Sequence, residues 1–165
     1  MSTGFREVRD GQPHLVYERR FTAPITDVWD SITESERLGR WFGTWTGDPA
    51  SGRVKVSWTA EEGAPDETYV IEACEPPRRL RVRSENSDPS KVWTLDLALA
   101  EDAGVTTLRF AQMVDPTLDV VHVGPGWQYY LDRHGVAMSG GDPNTITWEG
   151  YDQYGSHYAK EFGGE

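Results

Sequence analysis

The run Arg20-Phe-Thr-Ala-Pro-Ile-Thr-Asp-Val-Trp-Asp-Ser-Ile-Thr33, followed closely by Leu38 and the pair Trp41-Phe42, constrains the fold more than any other part of the chain. An extended segment stops at Ala23-Pro24, because proline offers no ladder donor and suits a first helical turn. Ile25, Val28, Trp29 and Ile32 then recur at offsets of three, four and seven, which is one face of a helix. Thr33-Glu-Ser-Glu36 has the pattern of a capping box, so a second short helix is expected to start at Thr33 and carry Leu38 and Trp41 inward.

After Gly43 the period changes to two. Val54, Val56 and Trp58 alternate with polar residues. So do Tyr69, Ile71 and Ala73, then Leu80 and Val82, then Trp93, Leu95, Leu97 and Leu99, and finally Thr106, Leu108 and Phe110. Half-buried antiparallel strands have this signature. On this alternation Cys74 falls on the wet face with Val70 and Glu72, and Arg79, Arg81 and Arg83 form a wet row set against acids. The connectors Glu62–Pro65, Glu75–Pro77, Asn86–Ser90 and Glu101–Gly104 are short and rich in turn formers, which predicts a hairpin meander. His14–Phe21 reads as a first strand, and residues 1–12 as a loose N-terminus.

Trp127, Tyr130, Leu131, His134 and Met138 keep one helical face. With Gly124-Pro-Gly126 before them, the long helix is expected to start near Pro125, after a separate turn over Leu118–His122, and to close at Gly140-Gly141. In the tail, 142–165, Tyr151, Tyr154 and Tyr158 lie at helical spacing and predict a short helix packed on the body. The 165 residues fit one domain with a sizeable core. The class is α+β: a curved antiparallel sheet of about six to seven strands wrapped around the long C-terminal helix, with two short helices after the first strand.

The net charge of −11, with no basic stripe, argues against nucleic acid and against anionic membrane surfaces. No apolar run approaches a membrane span, no signal peptide is evident at the N-terminus, and Cys74 is the single cysteine, so a cytoplasmic protein is expected. The four histidines, His14, His122, His134 and His157, have no metal-ligand spacing, so neither a metal nor another cofactor is expected. Gly-x-Ser-x-Gly and phosphate-loop motifs are absent, and the acidic pairs Glu61-Glu62 and Glu101-Asp102 fall in turns, where charges are solvated.

The order of elements, together with Ala23-Pro24, Val28-Trp29, Thr33, Leu38, Trp41, Pro76-Pro77 with Leu80, and Gly126-Trp127 with Leu131-Asp132, resembles the START-like (SRPBCC) helix-grip superfamily. The closer likeness is to the branch of heat-shock-chaperone ATPase activator homologues, across roughly residues 14 to 140. The resemblance implies a hydrophobic cavity between the sheet and the C-terminal helix. Members bind lipids, hormones, polyketides or other apolar molecules, some catalyse cyclisation or dehydration, and many bacterial ones have no assigned role. No shared catalytic motif carries over.

Trp58, Tyr69, Trp93, Phe110, Trp127, Tyr130 and His134 are the candidate ligand-binding residues: six aromatics for contact area and one titratable ring for orientation. A plain alternative is a filled aromatic core with His134 satisfied by a neighbouring hydroxyl or carbonyl. Three functions follow. The first is binding of a small apolar or aromatic molecule. The second is a polyketide cyclase- or dehydratase-like enzyme, for which His134 is the one acid–base candidate. The third is a chaperone-regulating interaction module. The sequence leaves ligand identity and oligomeric state open, and a homodimer is one arrangement it allows.

Overall fold

The structure, a computed structural model, describes residues 4–59, 63–88 and 92–163. Two hairpin strands, β1 (Phe5–Arg9) and β2 (Gln12–Phe21), lead to helices α1 (Ile25–Thr33) and α2 (Ser35–Leu38). Six strands follow: β3 (Gly43–Thr46), β4 (Arg53–Trp58), β5 (Glu67–Glu75), β6 (Arg79–Ser84), β7 (Thr94–Asp102) and β8 (Val105–Met113). The chain ends with the long helix α3 (Val120–Met138) and a terminal helix α4 (Gly155–Gly163). All the strands join one antiparallel sheet in the order β1-β2-β8-β7-β6-β5-β4-β3, which is the α+β helix-grip arrangement. No described helix is long and apolar enough to cross a membrane.

The sheet has eight strands, more than the sequence reading allowed. The segment expected to be a loose N-terminus supplies one of them. Asp10 and Gly11, both at positive φ, form the two-residue turn that pairs Arg9 with Gln12 and lays Phe5–Arg9 beside β2. Strand β3 is the other addition, too short for its alternation to be read.

Two further expectations need correction. Thr33 does not cap α2: its hydroxyl donates to the Trp29 carbonyl one turn back, and Glu34 occupies the cap position with no side-chain cap bond. The long helix begins at Val120, not near Pro125, so Pro125 lies inside it and no separate turn spans Leu118–His122. The start is drawn forward by tertiary packing. The Tyr17 hydroxyl donates to the Gly124 carbonyl, and the ring of Tyr158 lies flat against the bare Cα of Gly124. At the other end Gly140, at positive φ, and Gly141 donate to the carbonyls of Ala137 and Val136, closing the helix as expected.

The tyrosine tail packs back on the body. Tyr158 is fully buried; its hydroxyl donates to Gln128 (2.8 Å) and accepts from the Gly4 N–H (2.9 Å). Glu161 accepts from the Arg6 N–H, and His157 bonds the Gly4 carbonyl. Helix α4 therefore occupies the free edge of β1 as well as the flank of α3. On the outer face of the sheet Arg81 and Arg83 share Glu72, and Arg79 pairs with Asp96. Glu61 and Glu62 lie outside the described residues.

Candidate functional site

The inner face of the sheet and the two short helices enclose a cavity of about 290 Å³. Its floor is the apolar face of the central strands: Val54 and Val56 on β4, Tyr69 and Ile71 on β5, Leu80 and Val82 on β6, Leu95 and Leu97 on β7, and Phe110 on β8. Its roof comes from Trp29, Ile32 and Thr33 of α1, Leu38 of α2, and Trp41, Phe42 and Trp45 beyond it. Helix α3 contributes only Trp127, so the hollow lies mainly between the sheet and α1–α2, not beneath the length of the C-terminal helix as expected.

The wall is almost purely carbon because its polar atoms are turned outward and used. The indole N–H of Trp41 donates to the Ser31 carbonyl and that of Trp45 to the Thr33 carbonyl, so two aromatic side chains satisfy the last turn of α1 while presenting their rings. The Trp127 N–H donates to the Gln112 amide oxygen. Tyr69 is the exception. It is 3% exposed, and its hydroxyl finds no hydrogen-bond partner among the described residues. Burial first, and then the charge of Glu67, push its pKa far above the usual phenol value, so it remains an O–H donor.

The mouth is marked by the exposed lining residues Pro49, Cys74 and Pro76. Strict alternation would put Cys74 on the wet face. The register of β5 on β6 shifts between Ile71 and Ala73, so Ala73 pairs with Arg81 and Cys74 with Leu80. That bulge turns Cys74 to the cavity side and leaves Glu72 outside among the arginines.

Of the seven residues expected to bind a ligand, Tyr69, Phe110 and Trp127 line the cavity, and Trp58, Trp93, Tyr130 and His134 do not. Trp58 and Tyr130 both pack edge-to-face against Phe42, with ring centroids 4.7 and 5.2 Å away, and so support the wall from behind. Trp93 is half-buried just before β7, and its backbone N–H donates to the Ser84 hydroxyl. His134 is wholly buried on the other side of Trp41, 4.6 Å from it ring to ring. The Ser31 hydroxyl spends its proton on the Val28 carbonyl, so His134 Nε2 must donate to Ser31 Oγ, 2.8 Å away. Burial, reinforced by Arg19 and Arg37, lowers its pKa to about 3, which keeps the ring neutral at neutral pH. Trp127 and His134 share a helix face but stand two turns apart, about 10 Å along the axis, and the cavity ends before His134 is reached.

The sequence reading missed the contributions of α1, α2, Trp45 and Pro49 to the wall. The sequence assigns Trp29 and Trp41 mainly to packing the short helices, although the same inward face that packs a short helix also roofs the hollow.

A family model described as activator of Hsp90 ATPase homolog 1-like protein matches residues 22–134. No curated protein matches the chain. Among solved structures, CalU16 from Micromonospora echinospora is similar with a TM-score of 0.74 at 26% identity, over 97% of this chain and 96% of that one. The protein encoded by gene BPP1335 from Bordetella parapertussis has a TM-score of 0.71 at 20% identity, over 98% of this chain and 94% of that one. DynU16, from the dynemicin biosynthetic locus, has a TM-score of 0.66 at 20% identity, over 79% of this chain and 49% of that one. The last two likenesses concern the fold alone.

Proposed function

The chain belongs to the activator of Hsp90 ATPase homolog 1-like family of the START-like superfamily, and from that premise we propose that it binds a small, uncharged apolar or aromatic molecule in the cavity beneath α1 and α2. The observation that carries the proposal is the cavity itself: about 290 Å³ of enclosed space walled by aromatic and aliphatic carbon and open at Pro49, Cys74 and Pro76. Ligand pockets are typically apolar with a few placed polar groups, and this volume is at the lower end of their range. A filled core, which the interaction-module reading needs, is at odds with that space.

The binding reading is favoured over the cyclase-like one by the chemistry of the wall. Among the described lining residues only the Tyr69 phenol and the Cys74 thiol carry a dissociable proton, and no His, Asp, Glu, Lys or Arg is present to act as a base. His134, the acid–base candidate of the sequence, is on the far side of Trp41. A cytoplasmic setting forms part of the proposal, in keeping with a single unpaired cysteine.

Titration with 2-isopropenylnaphthalene, followed by tryptophan emission, tests the reading, since Trp29, Trp41, Trp45 and Trp127 all face the hollow. Saturable quenching is expected in the native protein. Leu80→Trp, at a half-buried position in the wall, should occupy the space and weaken binding at least tenfold while the fold is retained. Absence of saturable binding to the native protein would remove the proposal.

A further inference from the structure

We propose that the ligand is an amphiphile with a hydrocarbon body and a single polar group, that its hydrocarbon end enters first, and that the polar group stays at the rim of the cavity. The inference rests on the binding role proposed above and specifies the chemistry and orientation of the ligand.

The wall grades from wet to dry. Among its residues Pro49, Cys74 and Pro76 are exposed, whereas Tyr69, Leu95, Leu97, Phe110 and Trp127 are buried. The surface turned to the hollow is almost wholly carbon. The hydrogen-bonding groups of Thr33, Trp41, Trp45 and Trp127 are spent on backbone carbonyls or on Gln112. The Tyr69 hydroxyl has less than 1 Å² of accessible surface, so it is closed to the cavity and the residue presents its ring alone. The bulge in β5 holds Glu72 outside with Arg81 and Arg83, and no charged side chain lines the cavity among the described residues. A polar group carried to the inner end would lose its hydrogen bonds to water and gain none in return. At the rim the same group keeps its water, while carbon placed there would stay unburied. A molecule polar at both ends is therefore rejected whichever end leads, and one polar at a single end has one favourable orientation.

Two probes that differ by one terminal hydroxyl isolate the claim: 1-nonanol and 1,9-nonanediol. Their affinities for the native protein are measured by displacement of 2-isopropenylnaphthalene. The diol should bind more than about thirtyfold more weakly than the alcohol, because a hydroxyl that finds a hydrogen-bond partner loses no more than that on leaving water. With 1-nonanol bound, a dissolved gadolinium chelate should broaden the proton resonances next to the hydroxyl and spare the terminal methyl. A smaller loss for the diol, or a methyl broadened as strongly as the carbinol protons, overturns the inference and leaves the cavity reading standing. Failure of 1-nonanol to displace a naphthalene that itself binds does the same. If the naphthalene does not bind the native protein, both fail.

Discussion

Gly124→Ala should destabilise the protein, although alanine is the better helix former. A Cβ on Gly124 would stand 2.4–2.6 Å from three ring carbons of Tyr158, so the ring must retreat by about 1 Å to regain ordinary contact. It cannot do so freely, because its hydroxyl is bonded to Gln128 and to the Gly4 N–H. Losing both bonds costs about 2 kcal/mol, and forced repacking adds about 1–3 kcal/mol. Helix propensity returns about 1 kcal/mol. The net loss is about 2–4 kcal/mol, or a fall in Tm of about 5–15 °C for a chain of this size. Gly126 is the control: it lies in the same helix, and a Cβ there meets nothing within 4 Å. Gly126→Ala should gain about 1 kcal/mol and raise Tm by about 2–4 °C. Urea unfolding followed by circular dichroism measures both, and repeating Gly124→Ala in a Tyr158→Leu background should abolish its penalty. Equal stabilisation by the two alanines, or a penalty that persists without the Tyr158 ring, refutes the reasoning.

His134 should make the protein acid-sensitive. Its folded pKa, about 3, lies below the ordinary 6.5, so its contribution is complete above pH 6.5 and is lost progressively as pH falls toward 3. By pH 4.5 the loss is on the order of 2–3 kcal/mol, and His134→Gln should flatten the stability profile between pH 6.5 and 4.5, a window above the titration of the ion-paired Glu7 and Glu72. Tyr69→Phe in the unliganded protein should leave Tm unchanged or raise it, since it removes a buried hydroxyl without a partner, whereas Tyr158→Phe should lower Tm by about 4–8 °C through the loss of two bonds. Cys74 should react fully with a thiol reagent in the native state, and saturation with 2-isopropenylnaphthalene should slow that reaction, because the exposed thiol forms part of the mouth. A rate indifferent to the probe would place the ligand elsewhere.

The legible parts of the fold were those in which one period dominates. The face Ile25, Val28, Trp29 and Ile32 formed a helix, and the alternation from Val54 to Phe110 formed strands β4 to β8. The misread parts depend on partners distant in sequence. Pro125 is tolerated inside α3 because Tyr17 and Tyr158, from opposite ends of the chain, clamp Gly124. The bulge after Ile71 has no local mark, and it reverses the side on which Cys74 lies. His134 shares a helix face with Trp127, but a shared face does not say which neighbour covers each turn; Ser31 covers this one. Strand β1 did carry a signal, the Asp10-Gly11 dipeptide between extended segments, and its polar flanks concealed it.

Because Gly4 and Arg6 are bonded to Tyr158, His157 and Glu161, the first strand acquires its outer neighbour only after residues 155–163 have been synthesised. On the ribosome, a nascent chain that already contains the whole sheet still carries an uncovered β1 border, a template for pairing with other chains. A message cut short after Met138 would yield a product with every described cavity-lining residue in place and the Gly4 and Arg6 N–H groups without their partners.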